Sequence, residues 1–456
     1  MKLVIHHKIP WGFCVLLLLA HKGLAQLSFS GQLRTRSEYR AGQGTLLKPG
    51  ETPAFFTSQR TRFSIDYATH RLTVRLTGQD VRVWGQDAST INRTTNGDLN
   101  GLMLHEAWAE LNLLDTSQIK TGRELTLRLG RQELVYDESR LLGNLDWLQQ
   151  GRRHDLALLK YGYRGWTLHA GLAYNQNREL KTGTVYNGVP TGYPAGTNGI
   201  GTLYKAMQFV YLGRKLKGGT VSLLALKDDF NRYTTTPASA TGTAPAKVYG
   251  PGVWSRVTVG AYANVTRGKW TVRGEAYRQT GRDRDGRSLR GSLLAGSLTY
   301  ATSRRTALTI GEDYTSGNEP TATAATPNRR FDPLYGTPHK FWGLMDFFYV
   351  ADGFGQGGLS DFYLRGRYKP SDKLTFLLDV HQFSSTNTVR TADRQLLDSS
   401  FGQEYDLVGQ YVLSKQLGVE GGYGYLRGTT ALAVVKGIPD ARKNAHWAYL
   451  MINLKF

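Results

Sequence analysis

Pairs of arginines separated by a single residue stand near the start of the chain. Arg34 and Arg36 form one pair, and Arg60 and Arg62 form another. Alternate residues of a β-strand point to the same face of a sheet, so each pair presents two guanidinium groups on one side of a strand. Guanidinium groups bind carboxylates and phosphates through charge-assisted hydrogen bonds. The spacing therefore predicts a surface that binds anions.

Further charged residues are expected beside these pairs. Arg75 follows a tight turn that brings it next to the arginines of the neighbouring strand, and Arg128 lies on the polar face of a later strand. Glu106 and Glu110 share the polar face of a strand between them. Like charges repel at short range unless carboxylates or a passing anion screen them. Because rings of Arg or Lys are how pores favour anions, we interpret these residues as the lining of a pore.

Catalytic arrangements are not found in the sequence. The histidines are scattered, and none has the spacing to another His or Cys that a metal site would need. Glu106 and Glu110 come from one strand, which cannot place two carboxylates on opposite sides of a bound sugar as a glycosidase requires. We therefore expect no enzymatic activity, no metal site and no cofactor.

Short segments of alternating apolar and polar residues position these side chains. In Leu27–Arg40, Phe29, Leu33 and Tyr39 lie on one face and the arginines on the other. A period of two residues is typical of β-strands with one apolar and one wet face. The same period recurs in Arg60–Tyr67, Arg71–Gln79, Glu106–Leu113, Glu124–Gln132, Trp166–Asn175, Ser255–Val265, Leu374–His381 and Glu404–Leu413.

Short and long connections alternate between these segments. Thr266–Lys269 is a tight turn, for example, whereas Asn231–Gly252 and Thr315–Gly358 are long polar stretches. Outer-membrane barrels have short periplasmic turns and long extracellular loops. The alternation predicts an all-β protein, a transmembrane antiparallel β-barrel of about eighteen strands with both termini periplasmic. We assign the apolar stretch Lys340–Val350 to the long loop Thr315–Gly358 because counting it as a strand would break the even number.

The start of the chain indicates export. Met1–Ala25 has the order of a secretory signal peptide, with Lys2 and Lys8 first, an apolar middle and small residues at the end. The mature domain is then expected to span residues 26–456, outside the cytoplasm. The only cysteine, Cys14, lies within the removed segment, so no disulfide holds the mature fold.

The end of the chain is a second indication of an outer-membrane barrel. In His446–Phe456, Leu450, Ile452 and Leu454 alternate with polar residues, and the chain ends on an aromatic side chain. A closing strand of this kind resembles the signal that the bacterial barrel-assembly machinery recognises. We expect that machinery to be a partner.

The charge balance narrows the partners further. The chain has 57 basic and 36 acidic residues, a net charge of +21, and removal of Lys2, Lys8 and Lys22 leaves +18. An exported chain does not meet nucleic acid, so anionic solutes and outer-membrane lipid are the expected partners. Two other interpretations of the positive charge stay open: loops that contact lipopolysaccharide phosphates, and mixed charges that only keep a general porin wet.

Several short motifs lie between Leu27 and Tyr161. They are Gln59–Phe63, Gly78–Gly85, Leu104–Trp108, Leu129–Leu134, Ser139–Gly143, Trp147 and Gly151–Asp155. Together these motifs resemble the alginate-export family of outer-membrane barrels. The resemblance implies a channel of eighteen strands through which an anionic polyuronate leaves the periplasm along an arginine-rich constriction.

The resemblance also adds candidate pore residues near a long loop. Arg131, Arg140 and Arg152 lie where a strand breaks into that loop, and two roles are open for them. They either fold back into the pore or hold the loop through salt bridges to its carboxylates. The full set of positions that match is Arg34, Arg60, Arg62, Arg75, Arg128, Arg131, Arg140 and Arg152.

The function expected from the sequence is passive passage of anionic solutes through the outer membrane, most of all an acidic polysaccharide or oligosaccharide. One alternative is a porin, general or anion-selective, for small solutes. Another is a surface protein that binds a partner through its long loops. The direction of transport, the cargo and the oligomeric state stay open.

Overall fold

The structure, a computed structural model, describes residues 26–85, 102–115, 118, 121–177, 179, 181–186, 204–236, 247–348 and 357–456. The predicted signal peptide and Cys14 lie outside these residues. The strands are β1 (Gln26–Ala41), β2 (Ala54–Ala68), β3 (Leu72–Val83), β4 (Met103–Asn112), β5 (Glu124–Gln132), β6 (His154–Tyr163), β7 (Trp166–Tyr174), β8 (Ala206–Leu216), β9 (Gly219–Thr235), β10 (Lys247–Arg267), β11 (Trp270–Arg282), β12 (Ser288–Tyr300), β13 (Thr306–Thr315), β14 (Leu359–Tyr368), β15 (Leu374–Ser384), β16 (Val389–Arg390), β17 (Leu396–Leu397), β18 (Ser400–Val412), β19 (Leu417–Gly428) and β20 (Asn444–Lys455).

The sheet closes on itself as a barrel. Eighteen strands pair antiparallel with their neighbours in the chain, and β1 pairs with both β2 and β20. The short strands β16 and β17 form a separate pair. Closure hydrogen-bonds the backbone of every barrel strand to two neighbours, which a bilayer requires because it offers no water to backbone groups. The predicted eighteen-stranded antiparallel barrel is confirmed.

The two faces of the barrel differ as the alternation predicts. Phe29, Leu172 and Leu223 point outward and are 59%, 63% and 56% exposed, as a lipid-facing surface would have them. The arginines of β1 and β2 point inward. Within the part of the chain that is described, none of the helices has the length and apolar character needed to cross a bilayer.

Some predicted loops contain regular structure. The stretch Asn231–Gly252 is strand at both described ends, because β9 and β10 continue into it and pair antiparallel as far as Thr235 and Lys247. A six-residue helix, α1 (Thr430–Val435), is capped at its N-terminus by Thr429, whose side chain accepts a hydrogen bond from the Leu432 amide. Alternation of residue types cannot separate these extensions from irregular loops.

Two long connections fold into the barrel and form its core. The first inward segment comprises residues 133–153 and the second comprises residues 316–348. Their contact includes a hydrogen bond of 3.0 Å from the Gly143 amide to the Tyr335 carbonyl. The described part of the predicted loop stretch Lys340–Val350 begins at the end of a 3-10 helix (Pro338–Lys340), is irregular beyond it and lies inside, as its apolar composition favours. The large apolar side chains that these segments bury include Leu134, Leu141, Leu142, Leu145, Phe331, Leu334, Tyr335, Trp342, Met345, Phe347 and Phe348.

Candidate functional site: the charged lumen

Arginines of β1 and β2 converge on one carboxylate from the first inward segment. Arg34 and Arg60 are directly opposite each other across the two strands. Asp146 lies between them, with an oxygen 3.2 Å from Arg34 Nη1 and another 2.8 Å from Arg60 Nη1. Arg62 Nη1 is 3.5 Å from the same carboxylate. The like charges that the register forces together are thus bridged by an anionic group.

The residues after Asp146 continue along the same arginines. Arg36 Nη1 donates a hydrogen bond of 2.7 Å to the Trp147 carbonyl, and Arg34 Nη2 donates one of 3.2 Å to the Leu148 carbonyl. We call Asp146–Gln150 the tip segment, and we call Arg34, Arg36, Arg60 and Arg62 the arginine cluster. The tip segment presents a row of oxygen acceptors to the arginine cluster.

The charges of the arginine cluster change the ionisation of Asp146. Burial favours the neutral acid, but the positive charges of Arg60 and Arg34 outweigh burial and lower the pKa of Asp146 to about 2. Its side chain is nevertheless 47% exposed to the lumen. Asp146 is therefore an ionised carboxylate at neutral pH, held by guanidinium groups and open to solution on one side.

The other predicted lining residues form ion pairs on the inner face of the neighbouring strands β2 to β5. Arg128 Nε lies 2.6 Å from Glu110 and its guanidinium stacks 3.9 Å from the centre of the Trp108 ring. Arg75 lies 2.7 Å from Asp66 and 3.7 Å from Glu106. All of these side chains are on the inner face, and their carboxylates screen the arginines as expected of a water-filled pore.

Arg140 and Arg152 fold inward with the first inward segment. Arg140 is 1% exposed and bridges Glu275 at 2.9 Å and Asp313 at 2.7 Å, two residues of the far wall. Arg152 Nη1 donates a hydrogen bond of 2.5 Å to the Gly336 carbonyl of the second inward segment. Both arginines therefore fold inward and hold the inward segments in place, but the carboxylates that Arg140 binds belong to the barrel wall and not, as the second role had it, to the loop itself.

Arg131 does not line the pore. Strand β5 continues to Gln132, and its alternation puts Arg131 on the outer face with Leu129, which is 51% exposed. Arg131 Nε lies 2.7 Å from Asp155 on the same outer face. Arg131 was predicted to be a pore residue at the point where the strand gives way to the loop, but it is the last outward-facing residue of β5.

A second set of charged side chains on the inner face, which we call the acidic wall, was missed from the sequence. It consists of buried carboxylates on β11, β13, β14, β15 and β18. Two of them, Glu404 and Asp406, accept hydrogen bonds of 2.8 and 3.1 Å from the Met345 and Leu344 amides of the second inward segment. Their strands show the same alternation, which was the available signal. The members of the acidic wall are Glu275, Asp313, Asp361, Asp379, Glu404 and Asp406.

Aromatic side chains link the two inward segments to the wall. Trp147 stacks on His339 with ring centres 4.0 Å apart, and its edge meets Tyr449 at 5.0 Å. The Arg36 guanidinium lies 4.1 Å above the Trp147 ring. This stack fixes the start of the tip segment beside β1 and β20.

Comparisons with known proteins agree with this architecture. The class that the fold defines is the outer-membrane β-barrel. A family model described as alginate export matches residues 25–174, which confirms the resemblance to that family over this part of the chain. No curated protein matches the chain.

Solved structures of bacterial barrels resemble almost the whole chain. OccK9 (OpdG) of Pseudomonas aeruginosa is 14% identical with a TM-score of 0.57, and the match covers 94% of this chain and 98% of that one. OccAB4 of Acinetobacter baumannii is 9% identical with a TM-score of 0.62, covering 94% and 98%. At such low identity the likeness shows the fold alone. The family model and the fold together support an outer-membrane channel, a class whose work is transport rather than catalysis.

Proposed function

We propose that the chain forms an outer-membrane pore through which anionic solutes, and acidic oligosaccharides or polysaccharides in particular, pass along the arginine cluster. The observation that carries the proposal is the binding of the Asp146 carboxylate by Arg34, Arg60 and Arg62. A uronate residue offers the same carboxylate. The similarity of residues 25–174 to the alginate-export model supports this choice of cargo.

A porin for small solutes is the second candidate. The inner-face charges outside the arginine cluster favour such a porin, because they are paired. Arg75 and Arg128 form ion pairs with Asp66, Glu106 and Glu110. Mixed charges of this kind keep a lumen wet and tune selectivity without specifying a solute.

The ion selectivity of the channel tests whether the arginine cluster governs which ions pass. We expect the refolded mature chain in a planar bilayer to show a reversal potential on the anion side under a KCl gradient. Replacement of Arg60 and Arg62 by alanine is expected to shift that potential toward zero, since two positive charges leave the lumen. The matched control is Arg131→Ala, which removes one charge from the outer face and is expected to leave the reversal potential unchanged.

Two results would contradict the proposal. Weak selectivity in the unmodified chain would leave the small-solute porin. An equal shift in the Arg131→Ala variant would mean that the lumen arginines do not set the selectivity.

A further inference from the structure

The tip segment occupies the arginine cluster much as an anionic oligosaccharide would. Besides the Asp146 carboxylate and the Trp147 and Leu148 carbonyls, it offers the Gln149 side-chain oxygen to Arg34 Nε at 3.0 Å. The Gln150 carbonyl accepts a hydrogen bond of 2.9 Å from Gln79. One charged group followed by a row of neutral oxygens is also the pattern of a uronate with its ring and hydroxyl oxygens.

The arginine cluster retains binding capacity beyond what the tip segment uses. Near Asp146, three guanidinium groups of Arg34, Arg60 and Arg62 face two carboxylates, those of Asp146 and Glu133. Arg62 Nη2 is buried and has no hydrogen-bond acceptor among the described residues. A net positive charge and an unused donor favour a second, stronger anion over the single carboxylate of the segment.

The backbone of the tip segment is held by local turns rather than by a strand. The Leu148 amide bonds to the Leu145 carbonyl at 3.1 Å, and the Gly151 amide bonds to the Leu148 carbonyl at 3.2 Å. Leu145 has a φ of 52°, a left-handed conformation that is unfavourable for a residue with a Cβ. Such a segment can leave the wall without unpairing any barrel strand, and its displacement breaks the Trp147 contacts with His339 and Tyr449 rather than a sheet hydrogen bond.

We propose that the tip segment is an internal competitor for the cargo: an anionic oligosaccharide displaces Asp146–Gln150 from the arginine cluster and takes its place. This inference rests on the proposed function and adds a mechanism to it. In the absence of cargo the segment screens the arginines, and the cargo must outcompete it to enter. The apparent affinity for cargo is then lower than the affinity of the bare arginine cluster.

Neutralising Asp146 tests the competition. We expect Asp146→Asn to lower the concentration of tetragalacturonate that half-blocks the channel by about tenfold, the scale of one charge-assisted contact. Glu138→Gln is the matched control, because Glu138 belongs to the same inward segment but pairs with Lys340 at 2.7 Å, away from the arginine cluster. An equal effect of the two substitutions would mean that only the general charge of the lumen matters, and would overturn the proposal.

A reversible tether tests displacement itself. Gln149 Nε2 donates a hydrogen bond of 3.0 Å to Ser58 Oγ, so cysteines at these positions suit a short bis-methanethiosulfonate cross-linker. The mature chain contains no other cysteine. We expect the cross-link to weaken tetragalacturonate block at least about tenfold and dithiothreitol to restore it, while each single-cysteine variant treated with the reagent responds like the parent.

The outcomes distinguish the two proposals. If tetragalacturonate blocks the tethered and released forms equally and anion preference persists, the segment is not displaced and the proposed function stands alone. If it blocks neither form and anion preference is absent, the proposed function fails and the competition fails with it.

Discussion

The direction of the Arg34 side chain could be predicted from the sequence, but its partner could not. Its inward direction followed from the alternation of Leu27–Arg40, and the structure places it on the inner face. Its carboxylate partner, Asp146, lies 112 positions away in the chain. No spacing rule connects such distant residues, because the contact depends on a loop that folds back into the barrel. From the sequence, Asp146 was only one of several carboxylates in that loop.

Arg140 carries the largest predicted effect of a single lumen side chain on stability. Arg140→Ala would leave Glu275 and Asp313 as buried carboxylates without their cation. Removing one partner of a buried ion pair costs about 3–5 kcal/mol, so we expect the free energy of unfolding by urea in lipid vesicles to fall by that amount.

Arg131→Ala is the comparison for the Arg140 experiment. Its pair with Asp155 is on the outer face, with side chains 37% and 50% exposed, and exposed pairs contribute about 0–1 kcal/mol. A loss of similar size in both variants would contradict the assignment of Arg140 as the buried link between the first inward segment and the far wall.

At the scale of the strands, glycines recur opposite aromatic residues on the inner wall. Gly422 on β19 pairs with Tyr449 on β20, and a Cβ on that glycine would lie 2.0 Å from the Tyr449 ring. Gly311 and Tyr363 repeat the arrangement on β13 and β14. Each ring lies flat over a glycine of the neighbouring strand, which leaves the lumen free for the inward segments.

Substitution at one of these glycines should disturb the lumen through its aromatic partner. We expect Gly422→Val to displace the Tyr449 ring from its position over the glycine and from its contact with Trp147. The thermal unfolding midpoint should fall, since overpacking costs about 1–3 kcal/mol. Gly366→Val is the control, because the nearest atom to its Cβ would be a backbone oxygen at 3.9 Å. Equal midpoints for the two variants would refute this role of Gly422.

The strands were more predictable than the loops for a physical reason. A membrane strand must show one face to lipid and one to water, so its sequence carries a period of two. The inward segments obey no period, since they pack against a wall of both apolar and charged residues. Their apolar residues, such as Trp342 and Phe347, indicated that the segments are buried, but not against which part of the barrel they pack.

For the whole molecule, the two inward segments together contact both the basic and the acidic parts of the wall. The first brings oxygens to the arginine cluster, and the second brings backbone amides to Glu404 and Asp406 of the acidic wall. Each contact provides a hydrogen-bond or ion-pair partner for a buried charged side chain of the wall. The sequence predicted a basic lumen, whereas the structure contains a lumen divided between basic and acidic sides.

The most direct test of the central claim is block of the single channel by two oligosaccharides of equal length, one of uronate residues and one uncharged. We predict that the uronate oligosaccharide blocks the current and that higher salt weakens the block, because salt screens the attraction to the arginine cluster. The uncharged oligosaccharide is expected to block far less. Equal block by the two compounds at low salt would contradict the account.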